Sequence, residues 1–229
     1  MNLKLILTIM IFSVCSKAFA LYGARPLKSG EHEAVLSLHL SDPQNPQYNY
    51  FCNAVLISPK TLLTAAHCIE VMGNEVYEAT PWLTYHPEFV RVNVKGVKAQ
   101  VSEITFAPSY FEVLGFGGED LALITLKNPI STIAPLPIIK KSVLKIGQSL
   151  TLVSRQMSAP TKLIKKTQYQ SSTVLVTDGS ASGTCLGDSG GALLSNENGQ
   201  WGLAGILTYQ GEESCERKNT VSFFPRSQF

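Results

Sequence analysis

From residue 21 onward the chain alternates short apolar runs with turn residues. The segment VLSLHL (35–40) puts Leu36, Leu38 and Leu40 on one face and Ser37 and His39 on the other, the period-2 signature of a half-buried strand. NAVLIS, TLLTAA, RVNVKGVKAQV, LALITL, SLTLVS, STVLVT, GALLS and WGLAGILTY follow, and SDPQNP, HPEF, GFGGED and KNPI interrupt them. No stretch holds a 3.6-residue period, and there is no repeat or low-complexity tract. The pattern predicts an all-β fold with strands at sandwich or barrel spacing. In KNPISTIAPLPIIKKS (127–142), Pro129, Pro135 and Pro137 rule out a central strand, which makes it the expected connector between two halves.

The first twenty residues, MNLKLILTIMIFSVCSKAFA, read differently. Lys4 gives a positive start, the apolar run is too short to span a bilayer, and AFA at 18–20 fits a small-x-small cleavage site. The expectation is a signal peptide over 1–20, a mature domain over 21–229, a secreted or periplasmic location and no retained membrane anchor. Bulky Val14 before Cys15 argues against a lipid-anchored form. The 229 residues, 45% apolar and 16% charged, suffice for one large domain or two small lobes. The formal charge of +2 includes Lys4 and Lys17, so the mature side chains balance at zero. No basic field then points to nucleic acid or to an anionic membrane as partner.

Five cysteines become four once the leader is removed: Cys52, Cys68, Cys185 and Cys215. An even number in an exported chain implies disulfides, with three possible pairings. Pairing the sequence neighbours would join Cys52 to Cys68 and Cys185 to Cys215. Each such loop would contribute about 3 kcal/mol in the chain-entropy description. No C-x₂-C or H-x₃₋₅-H spacing suggests a metal site, and no cofactor motif is present.

GTCLGDSGGALL (183–194) sets Ser189 between Asp188 and two glycines. Glycines either mark an ordinary surface turn or let a backbone bend sharply around a reacting group. Residues 187–191 also fit G-x-S-x-G, but the hydrolase architecture using that elbow needs its acid and histidine after the serine. No histidine or aspartate follows Ser189. A base must come from upstream, where the histidines are His32, His39, His67 and His86. His67 ends an apolar run and precedes a cysteine in LLTAAHCIE; the other three lie on or beside a strand or in a loop. Asp120 opens the strongly apolar LALITL, where a partly buried carboxylate needs a partner such as an imidazole N–H.

TAAHC, EDLALITL and GDSGGAL, in the order His, Asp, Ser with cysteines beside the first and third, resemble the chymotrypsin/trypsin-like serine protease family. The likeness extends to LYGARPLKSGEHEAVLSL as a mature start and to WGLAGILTY after the serine, so it covers most of the mature chain. It implies two six-stranded antiparallel Greek-key barrels with the site in the cleft between them. It also implies a secreted serine endopeptidase working through an acyl-enzyme, with His67 as general base, Asp120 as its orienter and Ser189 as nucleophile. The N–H groups of Gly187 and Ser189 would form the oxyanion hole. Cys52–Cys68 and Cys185–Cys215 match two family disulfides. Asp188 would pair with the amine freed at Leu21 by signal cleavage, although the start is Leu-Tyr-Gly-Ala rather than Ile-Val-Gly-Gly.

Gly183, six residues before Ser189, would floor the primary pocket beside Thr184, with Thr208, Tyr209 and Gln210 as walls. A floor without charge predicts small or medium apolar residues on the acyl side of the cut. Expected partners are protein or peptide substrates and protein protease inhibitors. The competing reading is a non-catalytic binding module on the same fold.

Overall fold

Alternation along the first half of the chain closes into a barrel. In β2 (Val35–Ser41) the three leucines are buried while Val35, Ser37 and His39 are only partly so. β3 (Asn49–Ser58) lies beside it with Leu38 opposite Cys52. β4 (Thr61–Thr64), β5 (Val90–Val94), β6 (Val97–Phe106) and β7 (Ala122–Leu126) complete the cycle β2-β3-β4-β7-β6-β5, closed by pairing of β5 with β2. The computed structural model describes residues 21–41, 49–70, 90–94, 96–108, 110, 119–169, 172–208 and 219–225. RVNVKGVKAQV is two strands, divided by a turn in which Gly96 has φ 86°.

The second barrel uses β8 (Ser149–Ser154), β9 (Met157–Tyr169), β10 (Ser172–Thr177), β11 (Ala192–Glu197), β12 (Gln200–Thr208) and β13 (Thr220–Phe223). Their order is β9-β10-β13-β12-β11-β8, and β8 pairs back onto β9. The two expected six-stranded barrels are therefore present. A two-residue strand, β1 (Arg25–Pro26), adds to β9 as a seventh member. β11 is buried on both faces: Leu193 belongs to the second barrel's core, while Ala192 and Leu194 pack into the cluster that fills the first. The β8–β9 hairpin turns through Arg155 and Gln156, whose φ values are 45° and 63°. This is the mirror-type turn that suits strand twist, here occupied by residues that adopt it only under strain.

Residues 127–148 run from β7 to β8. Ile130 N and Leu136 N donate to Pro59 O and Leu56 O of the first barrel, whereas Ile139 N donates to Leu203 O of the second. No helix among the described residues is long and apolar enough to cross a membrane.

Cys52 of β3 is bonded to Cys68, sixteen positions on. Cys185 is also disulfide-bonded, and its expected partner Cys215 lies outside the described residues. Cys52–Cys68 ties the base of the first barrel to the one-turn helix α1 (His67–Glu70). Replacing both cysteines by alanine is expected to lower the unfolding free energy by about 2–4 kcal/mol. Urea unfolding without reductant measures this, and a loss well under 1 kcal/mol would contradict it.

Candidate active site

His67 and Asp120 meet because of strand register. β4 pairs with β7 so that Thr64 lies opposite Ala122. His67 follows that rung on one strand and Asp120 precedes it on the other, so both leave the barrel at the same edge. Ala65 and Ala66, fully buried, let the chain turn tightly there. Cys68 N and Ile69 N then donate to Ala65 O and Ala66 O, forming α1.

The Asp120 carboxylate takes three donors. His67 N donates to Oδ1 at 2.8 Å, and the His67 ring nitrogen Nδ1 lies 2.7 Å from Oδ2. The hydroxyl of Thr208, at the end of β12, donates to Oδ2 as well. Burial opposes ionisation of Asp120. The His67 ring bond and charge, the Thr208 hydroxyl and the His67 N–H outweigh it and hold the carboxyl below its ordinary pKa. An ionised carboxylate accepts, so Nδ1 carries the proton and the neutral ring keeps its basic lone pair on Nε2. The sequence reading put Thr208 in a pocket wall; its hydroxyl is engaged with the acid.

The segment bearing Ser189 is two successive turns. Asp188 N donates to Cys185 O at 3.1 Å, with Gly187 at φ 88° in the third position, as a type II turn requires. Gly191 N then donates to Asp188 O at 3.0 Å. Gly190, at φ 77°, lies against the first barrel: a methyl group there would be 1.9 Å from Asn53 O and 2.4 Å from Thr64 Oγ1. Ser189 O accepts from Asn53 N at 2.8 Å, and Thr64 Oγ1 donates to Asn53 O at 2.6 Å. Ser189 is thus fixed against the end of the strand that leads into His67. Gly190 N donates to Leu207 O, next to Thr208.

Asp188 is fully buried. Ser154 Oγ donates to its Oδ1 and Cys185 N to its Oδ2, both at 2.6 Å. Burial pushes its pKa up to about 6, against those two bonds and the nearby Arg155 charge. The Leu21 side chain is buried in the second barrel's core. The next residue, Tyr22, exchanges backbone bonds with Gly183 at 2.9 and 3.3 Å. Thr184 N donates to Oγ1 of Thr220 at 3.3 Å. Tyr209, Gln210 and Cys215 lie outside the described residues.

Three residues with roles here carry no sequence signal. Asn53 and Ser154 read as ordinary strand positions, and the site of Thr220 depends on β13 lying beside β10, with Thr177 opposite Thr220. Nothing local in the sequence announces that pairing.

Comparison with known proteins gives one family. The family model described as Trypsin matches residues 22–229. Transmembrane protease serine 7 of Mus musculus is 30% identical over 207 residues, which is 77% of this chain and 24% of that protein. Ovochymase of Halocynthia roretzi is 28% identical over 74% of this chain and 12% of its own length. Testisin of Homo sapiens is 27% identical over 75% of this chain and 65% of its own length. The chain therefore spans from about an eighth to just under two thirds of these relatives.

The raised Asp188 pKa has a stability consequence. Between the unfolded value of 3.8 and about 6, the folded state holds a proton that the unfolded state has released. The contribution is present in full below pH 3.8 and is lost as pH rises through about 6, a change of about 3 kcal/mol. Compared with Asp188→Asn, the parent protein is expected to lose about that much relative stability between pH 4 and 7. Parallel stability–pH curves from denaturant titration would refute this.

Proposed function

The chain belongs to the trypsin family of serine proteases, and on that premise we propose that it is a secreted serine endopeptidase acting through an acyl-enzyme. One observation carries the reading: the His67 ring is hydrogen-bonded to Asp120 at 2.7 Å, beside the turn that bears Ser189. Ser189 Oγ attacks the scissile carbonyl carbon while His67 Nε2 takes its proton. The N–H groups of Gly187 and Ser189 receive the oxyanion. His67 then protonates the leaving amine as the C–N bond breaks. A water deprotonated by His67 hydrolyses the remaining ester, and Ser189 regains its proton. Asp120 keeps the imidazole in the Nδ1–H form and faces the imidazolium as it appears.

Substrates in this reading are proteins or peptides, and protein protease inhibitors are natural competitors for the cleft. Residues 1–20 direct export and are removed. Gly183 and Thr184 form a primary pocket floor without charge, and Thr220, hydrogen-bonded to Thr184 N, adds none beside it. An unpaired cationic side chain at such a floor is costly. The pocket therefore suits Ala, Val or Leu on the acyl side of the cut.

A fluorophosphonate followed by peptide mapping is expected to label Ser189 alone. Ser189→Ala and His67→Ala should each lower kcat by about 10⁶-fold, and Asp120→Asn by about 10⁴-fold, the loss typical of this triad. Turnover unchanged in Ser189→Ala would refute the assignment, and a parent protein that neither takes the phosphonate nor hydrolyses any peptide would leave a binding module in its place. A peptide-library profile in which Arg or Lys exceeds the apolar residues in kcat/KM would refute the pocket reading alone.

A further inference from the structure

Between Leu121 and Thr177 the chain carries eight lysines and arginines and no aspartate or glutamate. The mature side chains sum to zero, so the balanced total conceals a local excess of positive charge. Two of the eight lie apart: Lys127 N donates to Gln100 O of the first barrel, and Arg155 sits over the Phe51 ring. The other six are Lys140, Lys141, Lys145, Lys162, Lys165 and Lys166, and all are exposed.

Backbone pairing gathers these six. Residues 140–148, with one 3₁₀ turn at Lys141–Val143, run beside β9. Gly147 N donates to Leu163 O at 2.7 Å, and Leu163 N to Gln148 O at 3.0 Å. Lys166 Nζ donates to Leu144 O and Lys141 Nζ to Thr173 Oγ1, both at 2.6 Å. Ile146 and Ile164 each stand one residue from the Gly147–Leu163 bond. They are 57% and 42% exposed. Ile164 falls where the register slips, between the Leu163–Thr177 and Lys165–Val176 pairs, and such a bulge re-aims a side chain.

The lysine charges are little opposed. Ion pairs among the described residues involve Arg25, His32 and His67, and none of the six. From β8 to β11 the acids are Asp178, Asp188 and Glu197. Asp188 is fully buried, and Asp178, whose N–H donates to Lys162 O, is the acid that feels the Lys162 charge. Solvated lysines alone call for no partner. Two large apolar side chains set among them do, because water is a poor neighbour for both at once. A surface that satisfies both is negative outside and apolar just beneath.

We propose that this face docks on an anionic phospholipid bilayer, with Ile146 and Ile164 entering between the headgroups and the lysines lying over the phosphates. A sulfated or phosphate-bearing polymer would meet the lysines and leave the isoleucines in water, so the lipid surface is the better match. The inference goes beyond the peptidase reading and does not depend on it. It also revises the expectation, drawn from net charge, that no anionic membrane is a partner. Lys162 lies five residues past Met157, which pairs with Ser154 beside the Ser189 turn. At roughly 3.3 Å per residue the docking face begins about 16 Å along β9 from that corner.

The test is co-sedimentation of the exported protein with vesicles of phosphatidylcholine alone, or with about one quarter phosphatidylglycerol, in about 0.1 M salt. Binding to the anionic vesicles is expected to be at least about 30-fold tighter. Lys162→Gln/Lys165→Gln/Lys166→Gln should weaken it about 100-fold, at about fivefold per lysine. Lys140→Gln/Lys141→Gln/Lys145→Gln, a second set, should do the same. Ile146→Ser/Ile164→Ser should weaken it about tenfold with every charge kept. Lys28→Gln/Lys60→Gln/Lys98→Gln removes the same charge from exposed positions elsewhere and should change it less than about threefold. Unchanged urea midpoints show that each variant is folded. Equal binding to the two vesicle types overturns the proposal, and so does an equal loss in the matched control triple. An isoleucine pair whose removal changes nothing marks a charge-only site for a soluble polyanion, checked on heparin, and overturns the lipid assignment. No readout uses peptide hydrolysis, so failure of the peptidase reading would leave each of these results standing.

Discussion

A methyl group at residue 190 would lie 1.9 Å from Asn53 O, and the rest of the site depends on that close approach. Only glycine allows the turn of the second barrel to press on β3 and β4 of the first. His67 and Asp120 come from the first barrel, Ser189 and Thr208 from the second. Neither lobe holds the whole of the proposed catalytic set. Their relative placement is set where Gly190, Thr64 and Asn53 touch, and displacement there by an ångström would separate groups whose chemistry needs hydrogen-bond reach. Apolar packing supports the same joint: Val153, Ala192 and Leu194 of the second barrel share a cluster with Ala54, Val55 and Leu56 of the first. Such packing is non-directional, so it brings the lobes together without fixing their register. The Asn53 bonds, being directional, supply what it lacks.

Strands with a clean pattern are legible in the sequence. β2, β8 and β10 fall on VLSLHL, SLTLVS and STVLVT because one side of each must face a core. β9 was hidden: Lys162, Ile164, Lys165 and Lys166 are all exposed along it, and Pro160 suggests a break. It exists because β8 and β10 pair on either side of it, information that no local window contains. The arrangement of His67 and Asp120 was legible as motif and order, and strand register brings them together. The hydroxyl of Thr208 on Asp120 was not legible, since it depends on where the end of β12 meets the start of β7. Asn53 and Ser154 were invisible for the same reason: a polar residue inside a strand reads as an outward position until a second barrel covers it.

Two aspartates in one site, Asp188 buried and Asp120 partly so, are driven in opposite directions. Both lose hydration, which disfavours charge. At Asp120 three donors, one of them an imidazole that can become a cation, outweigh the loss, and the pKa falls. At Asp188 the donors are a hydroxyl and one peptide N–H, with Arg155 nearby, and burial prevails, raising the pKa to about 6. The environments fit the proposed roles. An orienter of His67 must be ionised throughout the working pH range, because a neutral acid could not oppose the imidazolium. A residue that only shapes a turn needs acceptor oxygens, and Asp188 offers them to Ser154 and Cys185 in either protonation state. Its carboxyl therefore holds the turn at the cost of a buried, weakly compensated charge near neutrality. The Ser154 hydroxyl, aimed at it and held by Asn53, reduces that cost.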